Sequence, residues 1–480
     1  MRDQLIDSRA DAQGRRAEAV LPRVAQSESL IRSMCGQAVG KEYHTFVEFG
    51  EASNELHIDV RSSSSSALLK VLRVTQIIRG VSLQTYSYRR ILVLYAREVP
   101  VDVHTRWSKG RLYMASAEHA PTVVDQSVLD DLHARLRAYR RVAVPAGFGW
   151  TRGVDGDYLA DLLAYWADSY DWRAHETRLR GLPWVLAGQH GTLIRAVHLR
   201  ATAADAVPVV LLHGWPDSIL RFEKVLPMLS DLHLLVPALP GFPFAAPVAR
   251  RGMSSSDMAE AVAQAISELG YERYVVSAGD VGCDVAEALA ASHPDRVAAL
   301  HLTDVSQLHF LVNPPQNLSD EERDYVRHGH HWQATEGGYS HEQSTKPHTL
   351  AVGLGDSPAG LAAWILEKLR TWTDCGGDVE TVFTRDELLT WITAYWVSGA
   401  IGTSFTPYAE SGSKPIGRIG VPAAFTIFPK DLVNAPREFA ARFFDIRSWT
   451  DEPAGGHFAA WERPSEYVAG IRTAVDLANT

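Results

Sequence analysis

Apolar and polar positions alternate with two different periods between residues 119 and 480. Short apolar runs rich in β-branched residues predict strands at 193–198, 207–212, 232–237, 271–277, 297–302, 421–428 and 443–449. Apolar positions spaced three or four apart predict helices between and after them, at 258–269, 283–291 and 466–478. This alternation of strands and helices predicts an α/β fold with a doubly wound, mostly parallel sheet.

The alternation stops between residues 308 and 412, where the pattern becomes helical. Strong helices are predicted at 358–372 and 384–397. The segment is also rich in tryptophan, with Trp332, Trp364, Trp372, Trp391 and Trp396. An apolar helical insertion between two strands predicts a lid over a binding pocket, and therefore an apolar ligand.

These patterns divide the chain into five parts. Residues 1–118 form an N-terminal extension of unknown role, with strands predicted at 45–49 and 55–60, a helix near 68–78 and a serine-rich loop at 62–66. Residues 119–200 form a meander that precedes the core. The α/β core follows as 201–307 and 413–480, and the helical lid of residues 308–412 is inserted between its two parts.

The strand at 271–277 leads through a turn of small residues into the helix at 283–291. This arrangement is typical of the nucleophile elbow of α/β-hydrolases, and its central residue here is Asp280, where an esterase has serine. A carboxylate is ionised at neutral pH and can attack a saturated carbon to form an alkyl ester. The competing interpretation is that Asp280 only caps the following helix. The glycines on both sides of it and the partners described next favour the nucleophile.

Two loops supply the partners of a nucleophile at Asp280. The sequence His213-Gly214-Trp215-Pro216 follows the strand at 207–212, at the sheet edge where ligands bind. We expect the backbone amide of Trp215 to form half of an oxyanion hole and that of Val281 to form the other half. His457 follows two glycines after the last strand, which makes it the candidate base.

The acid that would orient His457 has several candidates. Asp431 directly follows the strand at 421–428, where a fixed backbone can hold it, whereas Asp445, Asp451 and Glu452 are nearer to His457 in sequence. We favour Asp431 and interpret the other three as solvated charges. The resulting order of nucleophile, acid and histidine along the chain is that of α/β-hydrolases.

Composition narrows the class of partner. The chain has 480 residues, of which 46% are hydrophobic and 22% charged, as in ordinary globular proteins. A formal charge of -10 argues against nucleic acid and against an anionic membrane. Cys35, Cys283 and Cys375 have no metal-binding or redox spacing, and their odd number indicates reduced thiols. We expect no metal and no cofactor. No secretory signal or membrane-spanning segment is predicted, which indicates a cytoplasmic protein. We expect its partners to be a small molecule and water. A homodimer is left open.

From residue 119 to its end the chain resembles the microsomal-type epoxide hydrolases. The resemblance includes their N-terminal meander and lid. It rests on Asp130-Asp131-Leu132, Tyr170-Asp171-Trp172-Arg173, His213-Gly214-Trp215-Pro216-Asp217-Ser218, Gly279-Asp280-Val281-Gly282, Gly338-Tyr339-Ser340-His341, Asp356-Ser357-Pro358-Ala359-Gly360 and Gly455-Gly456-His457-Phe458-Ala459-Ala460-Trp461-Glu462.

The resemblance implies that the enzyme opens an epoxide to a vicinal diol, with Asp280 as nucleophile, His457 as base and Asp431 as its acid partner. It also implies that two lid tyrosines, Tyr339 and Tyr408, bind and protonate the epoxide oxygen. One departure concerns the residue after the nucleophile, which is usually tryptophan in the family and is Val281 here. That change retains the amide and enlarges the pocket beside Asp280.

Two alternatives use the same fold. A haloalkane dehalogenase also attacks with aspartate and uses histidine as base, but it needs halide-binding donors where this lid offers tyrosines. A catalytically silent relative would only bind a small ligand, and the presence of a complete triad argues against it. An esterase is disfavoured because acyl transfer to Asp280 would give an anhydride.

Overall fold

The computed structural model describes residues 43–49, 56–59 and 92–96, and residues 119–480 except 144–146, 189–191, 249–251 and 412–416. Its contacts divide the chain into two units, Met1–Arg111 and Leu112–Thr480. In the first unit, strand β1 (Tyr43–Phe49) pairs antiparallel with both β2 (Leu56–Asp59) and β3 (Leu92–Ala96). The helix predicted near 68–78 and the serine-rich loop lie outside the described residues.

The second unit is built on an eight-stranded sheet. Its strands are β4 (Trp184–Ala187), β5 (Ile194–Leu199), β6 (Pro208–Leu212), β7 (His233–Pro237), β8 (Tyr274–Ala278), β9 (Val297–Leu302), β10 (Ile419–Ile427) and β11 (Phe444–Asp451). They lie in the order β11-β10-β9-β8-β6-β7-β5-β4. Strands β6 to β11 run parallel, and β5 pairs antiparallel with β4 and β7. This is the α/β-hydrolase fold.

The central strands of the sheet are covered on both faces. Every residue of β8 and β9 is buried, which accounts for their continuous apolar runs. The sequence did not predict β4, a strand of four residues at the edge of the sheet. Four residues are too few for the alternation of apolar and polar positions to stand out.

Helices surround the sheet and extend beyond it. They are α1 (Gln126–Arg137), α2 (Gly156–Asp168), α3 (Trp172–Arg180), α4 (Ser255–Glu268), α5 (Val281–Ser292), α6 (Leu308–Leu311), α7 (Asp320–Thr335), α8 (Gly338–Thr345), α9 (Pro347–Asp356), α10 (Pro358–Thr371), α11 (Arg385–Ser398), α12 (Thr406–Ala409), α13 (Arg437–Ala440), α14 (Ala459–Glu462) and α15 (Pro464–Ala478). Helix α4 starts with a capping box, in which Ser254 accepts the Asp257 amide and Asp257 accepts the Ser254 amide.

The lid is the helical region between β9 and β10, and it rests on the helices that precede the sheet. The Tyr165 hydroxyl at the end of α2 donates to Asp386 at the start of α11 (2.9 Å), and Tyr170 contacts Thr390 (3.1 Å). The helices of the meander therefore support the lid.

Among the described residues no single helix has the length and hydropathy to cross a bilayer, although α9 and α10 pass that test as a pair bent by 113°.

Candidate active site

The turn between β8 and α5 forces Asp280 into an unusual backbone conformation, with φ 57° and ψ −134°. A residue with a β-carbon pays roughly 1–3 kcal/mol for such a conformation, so the surrounding structure must impose it. Gly282 allows this tight approach, because a β-carbon there would overlap the carbonyl oxygens of Leu212 and His213. In the described structure the Asp280 side chain caps none of the amides of α5. The strained turn lifts the carboxyl group above the sheet edge instead.

The loop after β6 approaches the Asp280 carboxyl group from the side. The Trp215 amide donates a hydrogen bond to Asp280 Oδ1 at 2.8 Å. Gly214 makes the approach possible, since a β-carbon at that position would overlap the same carboxyl group. Val281 is the first residue of α5, where amides have no partner within the helix. The participation of its amide in an oxyanion hole stays a prediction.

His457 lies between the two other predicted members of the triad. Its Nδ1 is 2.7 Å from Asp431 Oδ1, and its Nε2 is 3.3 Å from Asp280 Oδ2. The Leu432 amide also donates to Asp431 Oδ1 at 2.7 Å, which fixes the carboxyl group. Nε2 is buried and has no aligned hydrogen-bond partner within the described part of the chain. The contact of 3.3 Å with Asp280 is therefore a close ionic contact and not an aligned hydrogen bond.

The three competing acidic residues make other contacts, Asp445 and Asp451 through their carboxyl groups and Glu452 through its backbone. Asp445 pairs with Arg447 at 2.8 Å, and Asp451 accepts the indole N–H of Trp449 at 3.1 Å. The Glu452 amide donates to the Ile427 carbonyl at 2.8 Å, alongside the end of β10. Asp431, placed directly after that strand, is the candidate acid that the structure brings to His457.

Two carboxylates hold a proton on His457. Burial lowers the pKa of the imidazole, but the charge of Asp431 and the contact with Asp280 outweigh it and raise the pKa to about 10. Burial opposes ionisation of Asp431, yet the neighbouring imidazolium keeps the pKa of that carboxyl below its usual value. The resting site therefore carries an imidazolium between two carboxylates.

The two predicted lid tyrosines meet at the ring of Trp215. Tyr339 of α8 stacks on that indole with ring centroids 5.3 Å apart, and Tyr408 of α12 contacts it edge-on at 6.1 Å. The two tyrosine rings are 6.0 Å apart. Burial, followed by the charge of Asp280, raises the pKa of Tyr339 far above its usual value. Burial and the neighbouring Tyr339 and Asp280 raise that of Tyr408 as well. Both phenols stay protonated and lie within electrostatic range of Asp280.

The backbone around His457 is tied to the lid. The His457 amide donates to the Trp372 carbonyl at 2.8 Å, immediately after α10. Glu462 accepts the amides on either side of the histidine, Gly456 at 2.9 Å and Phe458 at 2.9 Å. It also accepts the Asp374 amide from the lid at 2.8 Å. The histidine loop and the lid therefore form one hydrogen-bonded unit.

Asp304 is an acid that the sequence analysis did not identify. It follows β9 by two residues, just as Asp280 follows β8, and Leu302 pairs with Ala278 in the sheet. Its carboxyl group contacts the Cys283 thiol. Burial and the charge of Asp431 raise its pKa to about 7. The position of Asp304 at the end of a central strand was the signal available in the sequence.

Within the residues that the structure describes, no group of three or more His, Cys, Asp or Glu side chains could hold a metal ion. The site supplies a strained carboxylate, a charged imidazole, an amide donor and two buried phenols. Such a set of groups suits attack by a carboxylate on a carbon that bears an oxygen leaving group.

Comparison with known proteins identifies the class and then the family. Residues 118–222 match the family model described as epoxide hydrolase N terminus, and residues 207–348 match that of the alpha/beta hydrolase fold. Juvenile hormone epoxide hydrolase 1 of Ctenocephalides felis is 30% identical over 434 residues, which cover 80% of this chain and 93% of that one. Epoxide hydrolase 1 of Sus scrofa is 29% identical over 417 residues, covering 77% and 92%.

A solved structure agrees with these relatives. The Aspergillus niger epoxide hydrolase superposes with a TM-score of 0.67 at 29% identity, over 74% of this chain and 95% of that one. The fold and the relatives define an α/β-hydrolase enzyme. The chain belongs to the epoxide hydrolase family, as the resemblance of its motifs predicted.

Proposed function

We propose that this epoxide hydrolase acts through a covalent ester between Asp280 and an apolar or aryl epoxide. The observation that carries the proposal is the position of the Asp280 carboxyl group. One oxygen accepts the Trp215 amide at 2.8 Å, and the other faces His457 Nε2 at 3.3 Å. This arrangement orients Oδ2 for bonding to carbon and keeps Oδ1 where negative charge will develop later.

In the first half-reaction Oδ2 of Asp280 would attack a ring carbon. The carbon–oxygen bond of the epoxide breaks, its electron pair moves to oxygen, and that oxygen takes a proton from Tyr339 or Tyr408. The raised pKa values of both phenols keep the proton in place until this charge appears. A positioned acid of this kind accelerates ring opening by roughly 10²–10⁴-fold.

In the second half-reaction His457 would activate water. Ester formation removes the negative charge of Asp280, one of the causes that raise the pKa of His457, so the imidazolium can then pass its proton, through solvent, to the phenolate that ring opening left on the lid. Neutral Nε2 takes a proton from water, which adds to the ester carbonyl. The amides of Trp215 and Val281 would stabilise the oxyanion. Collapse of this oxyanion breaks the bond between the carboxyl carbon of Asp280 and the oxygen that leaves in the diol. That oxygen takes the proton back from His457.

The substrate class follows from the surroundings of the tyrosines. Trp372 contacts the ring of Tyr339 at 5.0 Å and that of His457 at 5.2 Å. Phe405 contacts Trp215 at 6.3 Å. An aromatic wall of this kind favours apolar and aryl epoxides over polar ones.

A product assay separates this proposal from its alternatives. Styrene oxide, a larger aryl epoxide and 1-bromobutane would each be incubated with the enzyme, and diol and bromide would be measured. We expect diol from the aryl epoxides and no bromide. Bromide release at a comparable rate would support dehalogenation. Binding of the epoxide without turnover would support a silent relative.

A further inference from the structure

A fully buried ion pair lies beneath the proposed oxyanion hole. Arg221 Nη1 donates to Asp217 Oδ2 at 2.6 Å, and both side chains are 0% exposed. We propose that Asp217 and Arg221 are positioning residues. They hold the Trp215 amide and His457 at the positions that hydrolysis of the alkyl-enzyme requires. This inference rests on the covalent mechanism proposed above.

Asp217 fixes the loop that carries the Trp215 amide. Its second oxygen, Oδ1, accepts the Gly214 amide at 2.8 Å. Gly214 directly precedes Trp215, whose amide donates to Asp280. The Tyr395 hydroxyl in lid helix α11 donates to the Asp217 carbonyl at 2.9 Å, which holds the same loop from the other side. A change at Asp217 would therefore move the oxyanion-hole amide.

Arg221 fixes the loop that carries His457. Its Nη2 donates to the His457 carbonyl at 2.6 Å, although the two residues are 236 positions apart in the chain. The same nitrogen lies against the nucleophile turn, where a β-carbon on Gly279 would be only 2.7 Å from it. One guanidinium thus touches the backbone of the histidine loop and that of the nucleophile turn, and it is paired with the oxyanion loop.

The charges around this pair keep it ionised. Burial lowers the pKa of Arg221, but the charge of Asp217 more than compensates and raises it. The Leu239 amide donates to His213 Nε2 at 3.0 Å, so the proton of His213 is on Nδ1, next to the Gly214 carbonyl at 3.1 Å. His213 Nδ1 also lies 3.5 Å from Asp217 Oδ1, so this ring supports the same carboxyl group. Breaking such a pair leaves an uncompensated buried charge, which enforces its geometry.

The kinetic consequence is specific to one half-reaction. In the attack step the Trp215 amide and His457 only orient Asp280, whereas in ester hydrolysis they stabilise the oxyanion and activate water, so displacing them should slow hydrolysis more than attack. A displacement of about 1 Å in a catalytic group costs roughly 100-fold in rate. If hydrolysis alone slows, kcat and KM fall together and kcat/KM is nearly unchanged. A partly unfolded enzyme would lower kcat/KM instead.

The test uses Asp217→Asn and Arg221→Lys. The first retains an oxygen for the Gly214 amide and removes the charge, and the second retains the charge with a single nitrogen. Arg472→Gln is the matched control, because it removes an exposed pair with Asp231 (2.9 Å, side chains 45% and 58% exposed). With styrene oxide, rapid mixing would give the rates of attack and of hydrolysis, and intact mass would report the alkyl-enzyme.

We expect hydrolysis to be roughly 10- to 100-fold slower in Asp217→Asn, with accumulated alkyl-enzyme and a nearly unchanged kcat/KM. Arg221→Lys should show a smaller effect of the same kind, and Arg472→Gln none. Folded variants that hydrolyse the ester at the normal rate, or that lose both steps equally, would overturn the inference. His457→Gln separates this from a failure of the mechanism: if that variant traps no ester, the covalent mechanism and this inference both fall.

Discussion

The two sides of the active site are held by different kinds of contact. At the sheet edge, Asp280, His457 and Asp431 are fixed by hydrogen bonds and ion pairs of 2.7 to 3.3 Å. On the lid, Tyr339 and Tyr408 are packed against aromatic rings at centroid distances of 5.0 to 6.5 Å. Directional contacts fix the position of an atom, whereas ring packing fixes a surface. Attack and hydrolysis should therefore be intolerant of change, and oxygen binding more adaptable to the substrate.

Trp215 joins the two sides. Its amide donates a hydrogen bond to Asp280 at the sheet edge, and its ring stacks on Tyr339 of the lid. Trp215 therefore connects the proposed acids of the lid to the proposed nucleophile.

Asp280→Asn should reduce turnover to background, because a neutral amide does not attack the ring. The change is nearly isosteric and retains an oxygen for the Trp215 amide, so the melting temperature should change little. Diol formation would be measured on freshly purified protein, with deamidation excluded by mass spectrometry. Full activity of the intact variant would remove Asp280 from the role of nucleophile.

His457→Gln should allow attack and stop hydrolysis, since no base remains to activate water. Intact mass after mixing with styrene oxide should increase by one substrate mass on nearly every molecule. Asp280→Asn serves as the control that cannot form the ester. Unmodified His457→Gln protein, under conditions where the unaltered enzyme turns over, would contradict a covalent route.

Tyr339→Phe and Tyr408→Phe should each slow attack, and the double variant should lose roughly 10²–10⁴-fold. The rings remain in place against Trp215, so only the hydrogen-bond donors are removed. Rapid mixing isolates the attack step from hydrolysis. An unchanged rate of attack in the double variant would mean that another acid protonates the oxygen.

The pH dependence should differ between the half-reactions. In the resting enzyme the pKa of His457 is raised to about 10, in part by Asp280, and ester formation removes that charge. Ester hydrolysis should therefore rise with pH to a plateau whose midpoint lies below 10, and the ester should accumulate at lower pH. Attack should not follow this midpoint. Identical profiles for the two steps would show that His457 does not act separately in hydrolysis.

Val281→Trp should have the smallest effect on catalysis. The change restores the residue usual in the family after the nucleophile and preserves the amide, so activity with styrene oxide should change by less than about tenfold. Large aryl epoxides should lose the most because the side chain at this buried position grows. The measurement is kcat/KM over a size series of epoxides, and equal effects on all sizes would contradict a role for Val281 in substrate fit.

The sequence predicted the parts of the site that depend on local order. The elbow at Asp280, the loop containing Trp215 and the glycines before His457 each follow a strand, and parallel strands bring their carboxyl ends to one edge. Membership of the epoxide hydrolase family and the fold were predicted as well, and the comparisons confirmed both. The domain boundaries, the cytoplasmic location and a homodimer stay predictions.

The contacts that support the site could not be predicted in the same way. Arg221 and His457 lie in different loops, and no local pattern relates residues 236 positions apart. Glu462 resembles an ordinary helical acid until its three amide donors are known. Strand β4 was missed because its four residues show too little alternation, and Asp304 was missed although it follows a predicted strand.

The central claim is that an oxygen of Asp280 leaves in the diol, and a single turnover in ¹⁸O-labelled water tests it most directly. With enzyme in excess over epoxide, we predict an unlabelled diol and one label on the peptide that contains Asp280. Later turnovers should release that label into product. A labelled diol in the first turnover, with an unlabelled peptide, would show that water opens the ring directly and would contradict the ester mechanism.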